Sequence, residues 1–278
     1  MLLGPRSVWP VTRIKFVRIK NSRIQHVRVQ TFSMSSIPDL RGRTALITGS
    51  AKRVGRAILL RIAAAGADVI VHYHTSESAA ERTVESAVKQ GVNATAIQAD
   101  ITDPDSVDSL FRQANETLGP VDILINNVGD FDPRHWEEIE WNAWKKVVET
   151  NFYGTVLCTR AALQSMREDG WGRVVNIGFA DSDQLYSHPE NFPYFVAKTG
   201  VLMFTRMVAS ETQDAGITVN AVSPFAVKNT ASDVSSFPRG RAATFDDVTA
   251  PILFFLSDDA AYISGENVGV DGGRLAER

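Results

Sequence analysis

Tyr194 and Lys198 stand four residues apart in FPYFVAKTG, one turn apart if the segment is helical. A phenol and an ammonium on one helix face can work as a proton-transfer pair. The positive charge favours the phenolate, and the phenol can hand a proton to an oxygen that is gaining charge. The same two residues could equally decorate a surface helix, so their spacing alone decides nothing. What precedes them matters more. The strand-like run RVVNIG ends at Gly178, and Phe179 follows, where a small hydroxyl residue would be expected beside such a pair.

A second constellation lies near residue 50. TGSAKRVGRA follows a short apolar run, TALI, and opens a helical one. Glycines at such a turn let backbone N–H groups approach a pyrophosphate, and the helix N-terminus favours its charge. Gly49 and Gly55 are present; Arg53 stands where the middle glycine of the usual three would be. The next apolar run ends VHYHTSE, with no acid until Glu77. An acid there would bind the ribose 2′-hydroxyl of NAD. Its absence, with Lys52, Arg53 and Arg56 crowding the turn, suits a 2′-phosphate and therefore NADP(H). His74, Thr75 and Ser76 could add donors. The alternative is a set of solvated turn residues.

These side chains need a scaffold, and the pattern from residue 43 supplies one. TALITG, DVIVHYH, NATAIQAD, VDILINNVG, RVVNIG, ITVNAVSP and NVGVDGG read as seven strands. Between them lie helical runs: GRAILLRIAAAGA, a second that Ser76 could cap and Gly91 ends, and a third with Pro104 in its first turn. Further helices are expected over 141–166 as one long unit, over 194–213, and at DDVTAPILFFLS. Near-continuous apolar strands separated by helices predict an α/β fold: a single Rossmann-like, doubly wound domain with a seven-stranded parallel sheet. Ligands of such sheets bind at the carboxyl ends of the strands, near the switch point.

Four features now stand in order: TGSAKRVG after the first strand, NNVG (126–129) after the fourth, Asn151 in the long helix, and YFVAK (194–198) after the fifth. Together, and with VDGG near the end, they resemble the short-chain dehydrogenase/reductase family over about residues 40 to 274. The amino-terminal half is most similar to the pteridine reductases, which share the arginine in the glycine turn and the HYH stretch. The resemblance implies an oxidoreductase that moves a hydride between NADP(H) and a carbonyl, a pterin or an acyl thioester. Tyr194 would be the general acid. Lys198 would favour its phenolate and bind the nicotinamide ribose, and Asn151 would hold a water connecting Lys198 to solvent. Gly49, Ser50, Arg53, Val54, Gly55, His74, Thr75, Ser76, Asp100, Ile101, Asn127, Gly129, Val227 and Thr230 would line the cofactor, with Asp100 at the adenine amino group and Val227 and Thr230 at the carboxamide and phosphates. The resemblance also implies a homodimer or homotetramer built on the 141–166 and 194–213 helices.

Three departures bear on the site. The family usually has a serine three residues after the strand asparagine, and counting from Asn176 that position is Phe179. Counting back from Tyr194 the position falls on Asp181, with Ser182 adjacent. The gap-free reading is preferred because strand register shifts less easily than loop length. The usual glycine after Ser223-Pro224 is Phe225. Finally, only about a dozen residues separate Thr230 from the last amphipathic helix, which predicts an open or shallow substrate site. Trp136, Phe179, Phe192 and Phe225 would suit an apolar or planar group. A second function follows from the same departures: an NADP-binding sensor or scaffold with little catalysis.

The chain has 278 residues, 44% apolar and 22% charged, an ordinary globular balance. Its one cysteine, Cys158, and the lack of Cys/His ligand spacing argue against a disulfide framework or structural zinc. No apolar run is long enough to cross a membrane. The formal charge of -3 conceals an asymmetry: residues 1–38 carry seven Lys/Arg and no acid, leaving 22 basic and 32 acidic side chains in residues 39–278. That leader reads as a targeting segment, a disordered polyanion-binding arm, or translation upstream of a start at Met34. The acidic body argues against nucleic acid as a partner. A small-molecule substrate and a cytoplasmic location are expected, or a mitochondrial one if the leader is a transit peptide.

Overall fold

Seven strands lie side by side, all parallel, in the order β3-β2-β1-β4-β5-β6-β7. They are β1 (Thr44–Ile47), β2 (Asp68–Tyr73), β3 (Ala94–Gln98), β4 (Ile123–Asn126), β5 (Gly172–Ile177), β6 (Ile217–Pro224) and β7 (Asn267–Val270). The helices are α1 (Arg53–Ala64), α2 (Glu77–Val88), α3 (Pro104–Leu118), α4 (Trp141–Val148), α5 (Gly154–Asp169), α6 (Phe192–Glu211) and α7 (Phe245–Leu256). This computed structural model describes residues 37–184, 188–228 and 237–274. The predicted Rossmann-like sheet is therefore present, and the basic leader and Thr230 lie outside the described residues.

The alternation of side chains along each strand builds two cores. Ala45, Ile47, Ile123 and Ile125 face α1 and α7, packing on Ile58, Leu59, Ile62, Ile252 and Phe255. Leu46, Ile70, Leu124 and Val174 face the other way, onto Leu110 of α3 and Cys158, Ala162 and Met166 of α5. Burying a Leu or Ile side chain of this kind stabilises the fold by roughly 1.5–3 kcal/mol. The central strands β1 and β4 are buried along their whole length, which is why they read as unbroken apolar runs. The strand order reverses between β1 and β4, so their carboxyl ends form the crevice where ligands of such sheets bind.

Three local expectations need correction. The helix expected as one unit over 141–166 is interrupted by a wide turn at Glu149–Tyr153 between α4 and α5. Asn151 sits in that turn and donates from Nδ2 to the Val147 carbonyl, 2.9 Å away. Gly154 follows it; a Cβ there would stand 2.6 Å from Ile101 Cδ1, so the glycine lets β3's exit press against the helix. Ser76 occupies the N-cap position of α2 but makes no side-chain capping bond. The last strand stops at Val270; Gly272 and Gly273, both at positive φ, turn the chain away.

Candidate functional site

Gly49 leaves β1 at φ +65°, and a Cβ on Gly55 would lie 2.5 Å from the Gly49 carbonyl oxygen and 2.6 Å from Asn127 Nδ2. No side chain fits at Gly55, so α1 starts tight against both strand exits. Arg53 keeps the left-handed conformation of the glycine it stands in for, at φ +55°, with its side chain exposed. The N-terminus of α1 carries no acid and no side-chain cap. Beside it Ser50 is fully buried, and its Oγ has no partner among the described residues. Uncapped N–H groups, an unpaired buried hydroxyl and exposed Lys52 and Arg53 fit the phosphates of a dinucleotide. Arg56 instead leans on α2, donating to Ser86 Oγ at 3.0 Å. Val54 packs partly into the core at the same turn.

Two residues that the sequence reading passed over hold this turn. Thr48 Oγ1 accepts from the Asn127 and Val128 amides at 2.8 and 3.1 Å, and Asn127 Nδ2 donates back to the Thr48 carbonyl at 2.9 Å. His72, inside β2, accepts from the Gly49 amide at Nδ1 (2.9 Å) and faces the Ala99 carbonyl with Nε2 (3.1 Å). Those partners require the neutral ring with its proton on Nε2. Burial pushes His72 down to about 4, which keeps it neutral. Its only signal in the sequence is a polar residue in the middle of the apolar run DVIVHYH.

The neighbouring strand ends are open. His74 Nε2 lies 4.0 Å from Asp100 Oδ2 with both side chains largely exposed, Thr75 is exposed and Ser76 partly so. Asp100 Oδ1 accepts from the Thr102 amide and hydroxyl, at 2.9 and 2.7 Å, which orients the carboxylate. Ile101 is buried. No acid stands at the end of β2, as the sequence indicated.

Across the crevice, α6 presents Tyr194 and Lys198. Lys198 Nζ is 5.6 Å from the centroid of the Tyr194 ring and donates to the Ile177 carbonyl at 2.7 Å. Lys198 is buried without an acid, and burial lowers it to about 8, so the ammonium still predominates at neutral pH. Burial raises the Tyr194 phenol above its usual range. Asn151, fully buried, donates from Nδ2 to the Asp130 and Val147 carbonyls, which leaves Oδ1 turned inward with no partner among the described residues. A Cβ on Gly129 would lie 2.9 Å from that Oδ1 and 3.6 Å from Lys198 Nζ. Gly129 thus faces Asn151 and Lys198 together.

The substrate side is aromatic. Phe179 meets Tyr194 edge-on at 5.6 Å, Phe195 at 5.2 Å and Phe225 at 6.1 Å, and Phe225 meets Phe237 at 5.7 Å. Phe192 packs instead on Trp144, and Trp136 on His135, so only two of the four aromatics singled out in the sequence share one wall. Of the polar residues after Phe179, Asp181 and Asp183 are engaged by arginines, and the buried Ser182 Oγ has no partner among the described residues. Asp181 is buried and bound through both oxygens to Arg274 Nη1, at 2.6 and 2.7 Å, while the Arg274 guanidinium lies 3.8 Å over Phe225. The Ser182 carbonyl accepts from Thr199, and Asp183 pairs with Arg206. Arg206 is twelve residues beyond Tyr194, about 18 Å along the helix. The turn Ala180–Gln184 therefore runs away from Tyr194 along α6, and the residue beside the phenol is Phe179. Val227 forms a bridge with Ala243, just ahead of α7. A cavity of about 440 Å³ opens behind Phe225 and Phe237, but neither Tyr194 nor Phe179 lines it.

A family model described as enoyl-(acyl carrier protein) reductase matches residues 49–274. A 3-oxoacyl-[acyl-carrier-protein] reductase from Synechocystis is 33% identical over 85% of this chain and 98% of its own. The 3beta-hydroxysteroid dehydrogenase 1 of Eggerthella lenta is 34% identical over 84% and 94%. Among solved structures, landomycin C-6 ketoreductase with bound NADP and rabelomycin superposes with a TM-score of 0.79 at 29% identity, covering 86% of this chain and 98% of that one. Acetoin dehydrogenase from Salmonella typhimurium also gives 0.79, at 26% identity, covering 84% and 96%. The substrates in these names differ while sheet and chain length agree, and on that evidence the chain belongs to the short-chain dehydrogenase/reductase family of oxidoreductases, whose cofactors are nicotinamide dinucleotides.

Proposed function

We propose that this protein is an NADPH-dependent reductase of a small carbonyl substrate. One observation carries the reading: Lys198 and the inward Oδ1 of Asn151 meet at Gly129, and the Tyr194 ring lies 5.6 Å from Lys198 Nζ, across from a glycine turn that suits phosphates. The dinucleotide, when bound, supplies the hydride. Gly49, Ser50, Arg53, Val54 and Gly55 would hold its phosphates, and His74, Thr75 and Ser76 the 2′-phosphate. Asp100 and Ile101 would meet the adenine, Asn127 and Gly129 the adenosine ribose, and Val227 and Thr230 the nicotinamide end. Tyr194, a neutral phenol in this setting, gives its proton to the substrate oxygen as charge develops there. Lys198 offsets the phenolate left behind, and Asn151 positions a water through which the proton is replaced.

The test is Tyr194→Phe, measured by NADPH consumption over a panel of carbonyls. Turnover should fall about 100- to 10,000-fold, the usual worth of a positioned acid, with NADPH affinity retained. Unchanged turnover on a good substrate would rule Tyr194 out as the acid. The aromatic Phe179 and the engagement of Asp181 by Arg274 favour a second reading, an NADP-binding sensor or scaffold. Tight NADPH binding with no hydride transfer to any carbonyl would support it. Tyr153, Val196, Met203 and Met207 expose apolar surface on α6 and at the head of α5, which supports a homodimer or homotetramer. No described helix is long and apolar enough to cross a membrane, and a cytoplasmic setting suits this reading.

A further inference from the structure

Phe179 poses a chemical problem. Resting on the reading that Tyr194 protonates a carbonyl, a second donor to the same oxygen is worth about 100- to 1,000-fold in rate. At the place where that donor would stand the protein has a ring, packed edge-on against Tyr194. The next polar groups in sequence are set away from it: Asp181 is engaged by Arg274 and Asp183 by Arg206, and Ser182, whose buried Oγ has no partner among the described residues, stands with its carbonyl against Thr199, five residues beyond Tyr194 on α6. Arg274 is itself occupied by Asp181 and by the face of Phe225. The wall made by Phe179, Phe225 and Phe237 offers flat apolar faces and edges. A substrate hydroxyl placed against it would lose its hydrogen bond to water and gain none.

One kind of carbonyl answers both constraints. In an aromatic ketone with a hydroxyl on the adjoining ring position, the hydroxyl donates internally to the carbonyl oxygen. That oxygen is already polarised, at no cost of bringing the donor in. The hydroxyl is also satisfied from within, so the molecule presents an apolar plane to the phenylalanines. We infer that the substrate is an aryl ketone whose carbonyl accepts a hydrogen bond from its own neighbouring hydroxyl, and that Phe179 selects it. The reduction breaks the C=O π bond. The carbon gains the hydride supplied by the reduced nicotinamide, which leaves oxidised, and the oxygen gains the Tyr194 proton, so an alcohol forms while the internal hydroxyl keeps its own proton.

The experiment compares 1-tetralone, 8-hydroxy-1-tetralone, whose hydroxyl bonds its carbonyl, and 6-hydroxy-1-tetralone, whose hydroxyl cannot. With the full chain and NADPH, kcat/KM for the 8-hydroxy ketone should exceed that for 1-tetralone about 100-fold, the worth of one donor. Phe179→Ser should reduce that ratio to less than ~10 by raising 1-tetralone turnover, because the enzyme then supplies the donor. Phe179→Leu, apolar and without a donor, should keep the preference. A second readout needs no turnover: quenching of the protein's tryptophan fluorescence, without cofactor, should show the 8-hydroxy isomer binding about 10-fold tighter than the 6-hydroxy isomer, whose donor stays unpaired. Equal or better use of 1-tetralone by the wild type, or an unchanged ratio in Phe179→Ser, overturns the inference. So does Tyr194-dependent reduction of other carbonyls with no reduction of either tetralone, an outcome that leaves the proposed function standing. Absence of Tyr194-dependent reduction of any carbonyl rejects both.

Discussion

The two halves of the crevice are held by different forces. At the exits of β1 and β4, backbone and small polar side chains interlock: Thr48 with Asn127 and Val128, His72 with Gly49, and Gly55 against Gly49. Nearly every group is paired, and the unpaired Ser50 hydroxyl sits where a ligand would come. At the exits of β5 and β6, rings meet rings, and the Asp181–Arg274 ion pair ties the chain after β7 to the turn after β5. Directional bonds fix atoms to fractions of an ångström, whereas aromatic contacts fill space and tolerate sliding. The first half suits a ligand that never changes. The second suits one that differs from relative to relative, as the 3-oxoacyl-[acyl-carrier-protein], 3beta-hydroxysteroid, landomycin and acetoin names among the similar proteins do.

The sharpest way to break this contrast is at the ion pair. Asp181 is almost wholly buried, and Arg274 is its partner across 93 residues. Removing the guanidinium leaves a buried carboxylate without its cation, which costs about 3–5 kcal/mol. Arg274→Ala should lower stability by that order in urea unfolding and disturb the aromatic wall. Adding Asp181→Asn should restore most of the loss, because the uncompensated charge is gone. If Arg274→Ala leaves stability unchanged, the substrate half is not held by this pair.

A pH titration tests the other half. His72 is neutral in the fold, held down to about 4, against about 6.5 in an unfolded chain. A lowered pKa on a base means that the unfolded chain takes up the proton first. The contribution is complete above pH 6.5, is lost as pH falls from 6.5 towards 4, and changes no further below that. The fall from about 6.5 to about 4 corresponds to roughly 3 kcal/mol. His72→Asn, which cannot titrate, should lose stability less steeply than wild type between pH 6.5 and 4. Parallel slopes would mean that His72 is not the group that makes the glycine turn acid-sensitive.

The contrast also explains what the sequence could tell. The sheet was legible because buried parallel strands must be apolar throughout, as in TALI and ILIN. Gly49, Gly55 and Asn127 stand together because their motifs are short and each lies next to a strand end. Phe179 was read from strand register, and the structure puts it beside Tyr194. Arg274 was not legible: its partner lies 93 residues away, and no local pattern encodes a long-range ion pair. Thr48 and His72 were missed for another reason. Their side chains serve backbone amides, and a residue that satisfies backbone leaves no motif of its own. The turn at Asn151 was hidden because a helix with one wide turn keeps a helical pattern of apolar residues.

The smallest expected effect is also the most local. Thr48 Oγ1 accepts from two amides, Asn127 and Val128, and its own proton points to the Ile125 carbonyl at 3.4 Å, a weak contact. Thr48→Ser keeps the oxygen and gives up one methyl, so stability should fall by less than about 1 kcal/mol. Thr48→Val keeps the shape and removes the acceptor, leaving two amides unpaired at the β4 exit. One unpaired buried donor costs about 1–3 kcal/mol, but these amides lie at a partly open crevice and water can replace part of the loss, so about 1–2 kcal/mol is expected. Calorimetric melting of both variants measures the difference. Because Asn127 and Val128 lead directly into Gly129, Thr48→Val should also weaken NADPH binding more than Thr48→Ser does, while Phe179→Leu on the aromatic side should leave that affinity within about two-fold. Equal effects of the two Thr48 variants on NADPH affinity would show that the β1–β4 bonds hold the fold without shaping the cofactor site.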